Sequence, residues 1–194
     1  MRVLVAVVLM AAVAAGPVWA DQHPDVRLFL TFDQADYVHE IADPGAGVLT
    51  IYVCADCVAD GEGIGLWGAA FKVERTFGGT YLALTNMLNP GITPIGHPET
   101  GIGAAVASGG LCIDGGIVPL ASILYSYNGT PGTLKLIPHE TDGAVTADCN
   151  NDLDTWCVAG NAGVGVAPPA PDADCDCDNP VEATTWGTIK ALYR

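Results

Sequence analysis

The sequence predicts an all-β protein whose main domain is an antiparallel β-sandwich. Apolar residues recur at every second position in several segments, the repeat of a strand with one buried face. The 24 glycines and 13 prolines cluster mostly between those segments, where they punctuate turns. No stretch before residue 181 carries a sustained apolar stripe at helical spacing.

The elements follow in order. Arg2 precedes an unbroken apolar run through Ala15, which Gly16 and Pro17 break before Val18-Trp19-Ala20. A basic start, an apolar stretch and small residues at its end are the parts of a secretory signal. Residues 1–20 are therefore expected to be an N-terminal signal helix, removed on export. The run is shorter than the roughly 20 apolar residues of a membrane span, and no membrane span is expected after signal removal.

Residues 21–166 are the expected sandwich domain. Leu28, Leu30 and Phe32 alternate in residues 27–32, and residues 48–53 are β-branched and aromatic. Trp67, Ala69, Phe71 and Val73 alternate with Gly68, Ala70, Lys72 and Glu74, as in a half-buried strand. Residues 81–84 read as a further strand. The apolar run 117–127, the dense turn signal Asn128-Gly129-Thr130-Pro131-Gly132 and the alternation of residues 133–137 together predict a β-hairpin. Residues 167–180 form a Pro/Asp-rich linker, and residues 181–194 a short tail with Trp186, Ile189 and Tyr193 at helical spacings.

Charge excludes two classes of partner. With 22 acidic and 7 basic residues the formal net charge is −15. Nucleic acid binding needs clustered Lys and Arg to displace counterions, and an anionic membrane surface attracts the same residues. Neither partner is expected.

Cys54, Cys57, Cys112, Cys149, Cys157, Cys175 and Cys177 are disulfide candidates in an exported chain. Their odd number leaves one free or bonded to another chain. Cys149–Cys157 would close a short polar loop and is the favoured pair. Cys54-Ala55-Asp56-Cys57 matches C-x-x-C. It runs from a strand into a loop, so a structural bridge is expected rather than a redox pair at a helix start. Residues 63–68 match G-x-G-x-x-G, but the segment that follows alternates like a strand, where a dinucleotide site needs a helix.

Asp148, Asn150, Asp152 and Asp154 place oxygen ligands at alternate positions, as a calcium loop begins. Leu153 and Ala159 then stand where such a loop has Gly and Glu. These four are weak calcium candidates; otherwise no cofactor is expected. Asp172, Asp174, Asp176 and Asp178 also alternate, with Cys175 and Cys177 between them. Solvation is the main expectation for these carboxylates, the sulfurs tying the linker back onto the domain. Tyr81, Tyr127 and Trp156, in polar surroundings, are weak candidates for stacking on sugar rings. Asn128-Gly129-Thr130 is formally a glycosylation sequon, and the turn accounts for the same residues. Neither G-x-S-x-G nor H-E-x-x-H occurs, so no catalytic residue is nominated.

Residues 64–74, Ile-Gly-Leu-Trp-Gly-Ala-Ala-Phe-Lys-Val-Glu, resemble the G-x-x-F-x-V/I strand of cohesin-like modules. Residues 116–125 with residues 132–136 are similar to the G-x-L-A-x-I-x-F … G-x-T-x-L-x-L stretch of the same modules. The resemblance spans roughly residues 26–148. It implies a nine-strand jelly-roll sandwich, shared with some carbohydrate-binding modules, that serves adhesion or scaffolding. Residues 180–194 resemble the short C-terminal tail of predicted exported proteins of uncultured bacteria. The reading is a secreted, non-catalytic binding or adhesion module for a polysaccharide or an extracellular protein. A surface-layer or filament component, or less readily a carboxylate-based hydrolase, are the alternatives.

Overall fold

The structure, a computed structural model, describes residues 26–56, 58, 65–100, 103–113, 116–149, 153–173 and 175. The signal segment, Cys57, Cys177, Asn150, Asp152, Asp174, Asp176, Asp178 and the tail 181–194 lie outside the described residues.

The described residues are all-β. The strands are β1 Val26–Thr31, β2 Glu40–Ile41, β3 Gly47–Asp56, β4 Leu66–Arg75, β5 Gly79–Asn86 and β6 Ile95–His97. They continue as β7 Gly103–Ala107, β8 Val118–Tyr127, β9 Gly132–Ile137, β10 Val145–Asp148, β11 Leu153–Gly160 and β12 Ala162–Val164.

One layer runs β5-β8-β3-β1-β11. The other holds β6-β7-β4, with β9 and β10 end to end along the far edge of β4. β10 pairs with the start of β11, and β12 with β9, so the layers are joined on that side. Two other strands are interrupted in the same way: β1 and β2 both lie parallel to the β11/β12 strand. With these three collinear pairs the twelve segments make nine strands, the number implied by the resemblance. The sandwich is antiparallel apart from the pairings β1–β11 and β2–β12, which are parallel. The first and last strands enter the same sheet from the same end of the domain, and a local sequence pattern carries no trace of that.

The predicted alternation fills the core. Leu28, Leu30, Ile51, Val53, Phe71, Val73, Ile123, Tyr125, Leu134 and Leu136 are buried between the layers. Phe32 lies just past the end of β1 and is only half-buried.

Three local expectations are overturned. Residues 128–131 do not close a hairpin: β8 pairs with β3 and β5, while β9 pairs with β4 and β12. The turn is an arch from one layer to the other, pinned by Asn128 N–H donating to Gly78 O at 3.2 Å and Gly78 N–H to Thr130 O at 2.9 Å. Cys149 and Cys157 are not joined: Cys149 bonds Cys112 and Cys157 bonds Cys175. β10 and β11 form a true hairpin with Thr155 opposite Val145. Cys149 therefore sits at its turn and Cys157 well up the other strand, beyond the ~7 Å Cα separation that a bridge tolerates. Third, Cys54 is a free, buried thiol. The expected C-x-x-C bridge is therefore absent at Cys54, which lies inside β3.

Residues 167–173 and Cys175 pack onto the sandwich. Asn161 Nδ2 donates to Pro169 O and Ala170 O, Asp172 accepts from Val158 N–H at 2.9 Å, and Cys157–Cys175 fastens the end.

Candidate binding face

β4 sits centrally in its layer, and its register decides which side chains share the outer surface. Ala69, Phe71 and Val73 point into the core with Ala104, Val106 and Thr146. The alternate positions therefore face outward. Across one row, Ile95, Ala105, Ala70, Val145 and Thr155 are registered neighbours on β6, β7, β4, β10 and β11. In the next row Ala107, Gly68, Ala147 and Leu153 align. None of these side chains is charged. The floor is flat because its residues are small, and Gly68 is small of necessity. A Cβ there would lie 2.8 Å from the Val106 carbonyl oxygen. Ile95 (77% exposed) and Leu153 (74%) rise at opposite margins, on strands four steps apart. At ~4.8 Å per strand the margins stand roughly 19 Å apart.

An excursion of the chain borders this floor. Between β9 and β10, residues 138–144 leave the edge of β4 and form a flap closed by mutual backbone bonds of His139 and Gly143, at 3.0 and 2.9 Å. Glu140 on the flap pairs with Lys72 of β4. The His139 ring lies against Gly103 of β7, where a Cβ would meet its Cδ2 at 2.8 Å. His139 Nδ1 lies 3.2 Å from Asp142 N and 3.1 Å from Asp142 Oδ2. Beyond the flap, Glu74 and Lys135 face one another across β4 and β9. The charged groups of this layer thus form a rim at one end of the floor.

The opposite outer surface differs. Thr80, Ser126 and Val48 align across β5, β8 and β3, as do Thr85, Ser122 and Tyr52. It is lined with hydroxyls, and Val48 and the bulged Leu82 are its exposed apolar residues.

The sequence-nominated residues are scattered. Trp156 is buried, its Nε1–H donated to Ala70 O at 2.9 Å. Tyr127 is buried and donates its hydroxyl to Asp43 at 3.0 Å. Neither ring offers an open face to a sugar. Tyr81 is half-buried on β5, its ring centroid 4.2 Å from that of His97 and 6.3 Å from that of Tyr125. Behind it Arg75 pairs with Glu99 and lies over the Phe77 and Tyr125 rings. Burial, reinforced by the Glu99 charge, drives the Tyr125 hydroxyl far above the usual phenol range. Of the calcium candidates, Asp148 is buried on β10 and Asp154 half-buried on β11. Among the described residues no three His, Cys, Asp or Glu side chains gather as a metal site. No helix there is long and apolar enough to cross a membrane. The face of small residues was missed in the sequence. Its only signal was the Gly68/Ala70 alternation, which read merely as the wet side of a strand.

No protein-family model matches the chain, and no curated protein matches it. Solved structures do. A non-cellulosomal cohesin from the archaeon Archaeoglobus fulgidus superposes with a TM-score of 0.51 at 11% identity, over 74% of this chain and 92% of that one. A type I cohesin–dockerin complex from Clostridium thermocellum matches with a TM-score of 0.49 at 12% identity, over 72% and 98% of the two chains. The seventh ScaB type I cohesin from Pseudobacteroides cellulosolvens matches at 0.48 and 11%, over 75% and 94%. The fold of this chain is a cohesin-like β-sandwich, as its sequence motifs implied.

Proposed function

We propose that this cohesin-like sandwich is a non-catalytic docking module, exported from the cell, that binds a protein partner on the outer face of β6-β7-β4-β10-β11. One observation carries the reading. In a chain of net charge −15, the middle of a sheet presents a flat, uncharged floor flanked by the exposed Ile95 and Leu153. A flat, uncharged sheet face with exposed apolar side chains at its margins and charged groups at one end suits a protein interface. Sheet faces are stiff, so little order is lost when a partner settles on one.

Export is supported by the signal-like first 20 residues and by the Cys112–Cys149 and Cys157–Cys175 bridges, which suit an oxidising compartment. A non-catalytic role is supported by the separation of the Arg27–Asp56 pair, on β1 and β3, from the Lys72–Glu140 and Arg75–Glu99 pairs made by β4. A polysaccharide has less support, because two of the three nominated rings are buried. The test is amide hydrogen exchange of the protein with and without a partner isolated from the extracellular fraction. Protection confined to β4, β7 and β10 is expected. Protection confined to β3, β5 and β8 rejects the proposed face.

A further inference from the structure

The arch between β8 and β9 holds a feature that docking does not use. Asn128, at its start, is exposed, as is Thr130. Asn128 Oδ1 accepts a hydrogen bond from the Thr130 backbone N–H at 3.0 Å. This local ring is fixed from both sides. Asn128 and Thr130 bond Gly78 through the backbone, and Gly129 takes the left-handed conformation (φ 88°) that a turn this tight requires. With Oδ1 committed inward, Nδ2 has no protein partner among the described residues.

We propose that Asn128 is an acceptor site for an N-linked glycan, preorganised in the folded protein. The motif Asn-Gly-Thr supplies the residues that a glycan-transferring enzyme reads. The fold supplies what a motif alone lacks: exposure, a held backbone and a free amide nitrogen. The donor class is a lipid-linked oligosaccharyl diphosphate. Nδ2 attacks C1 of the first sugar, the C1–O bond to the diphosphate breaks, the lipid diphosphate leaves and one amide proton passes to a base of the enzyme. No electrons change hands.

The position keeps the two surfaces apart. The arch lies beyond Arg75, which pairs with Leu134 near the start of β9. Ala70, on the docking floor, is five residues further along β4, roughly 17 Å at ~3.4 Å per residue. A glycan there would clothe one end of the sandwich and leave the floor bare. The inference needs export and does not need the docking face.

The test incubates the folded, oxidised full chain with a purified oligosaccharyltransferase and a lipid-linked oligosaccharide, followed by peptide mass spectrometry. The expected result is a glycan on the peptide containing residue 128, released by a glycan-specific amidase that hydrolyses the side-chain amide and leaves Asp at that position. Thr130→Ser should retain the modification and Thr130→Ala abolish it. Both variants are confined to material with the Cys112–Cys149 bridge intact, so misfolding cannot imitate loss. Modification only after reduction and denaturation overturns the proposal. So does a product in which the sole change is deamidation, with Gly129 N attacking the Asn128 side-chain carbonyl and ammonia leaving.

Discussion

The Trp156 indole donates its Nε1–H to the Ala70 carbonyl across 2.9 Å, tying β11 to β4 beneath the floor of small residues. The bond lies beside the place where residues 138–144 leave the sheet. It fills part of a gap in strand pairing that the flap creates. Trp156→Ala should therefore cost ~3–5 kcal/mol, the range for deleting a buried aromatic. Trp156→Phe keeps most of the packing and leaves one carbonyl short of a donor, which costs ~1–3 kcal/mol. Urea denaturation of the two variants checks the order.

Gly68 couples floor and core. A side chain there would push into the Val106 carbonyl. Gly68→Val should destabilise the domain by ~1–3 kcal/mol, as overpacking does, and should roughen the floor. Thermal melting reads the first effect. A partner affinity that falls further than the lost stability explains reads the second.

Cys54 should be inert in the native protein. Burial raises its thiol from 9.0 to about 12, so almost no thiolate exists near neutral pH. Alkylation with iodoacetamide at pH 8, followed by mass spectrometry, should leave Cys54 unlabelled until the chain is unfolded. The linkage has a definite sign. A raised native value means that the unfolded state gives up its proton first as pH rises. The group's contribution is then complete below pH ~9 and is lost between there and pH ~12.

The two bridges stabilise different parts. Cys112–Cys149 spans 37 residues and Cys157–Cys175 spans 18, worth ~4 and ~3 kcal/mol in the chain-entropy picture. Replacing the first pair with Ala should lower the melting temperature of the whole domain. Replacing the second should in addition expose residues 167–173 to proteolysis, because it fastens that segment to β11.

Much of the fold was legible in the sequence because burial repeats locally. Phe71, Val73, Leu134 and Leu136 announce their faces by alternation alone. What failed depended on distant partners. Asn128-Gly129 marks a tight turn equally well in a hairpin and in an arch, and only the pairing of β9 with β4 separates the two. The bridges of Cys149 and Cys157 follow from the registers of β10 and β11, which no spacing reveals. The floor of small residues was hidden because each of them is ordinary. Gly68, Ala70, Ala105 and Ala147 become a surface only when β7, β4 and β10 lie side by side.

The central claim is the assignment of the docking face. The direct measurement is the Kd of the wild-type chain, of Ile95→Lys/Leu153→Lys, and of the control Val48→Lys/Leu82→Lys for a partner isolated from the extracellular fraction. All four positions are exposed, so each variant should fold with a stability change of ~0.5 kcal/mol or less per site. The first variant should weaken binding by about a thousandfold, ~2 kcal/mol for each of two interface anchors, and the control should bind like wild type. Wild-type affinity in the first variant, with loss in the control, would contradict the claim.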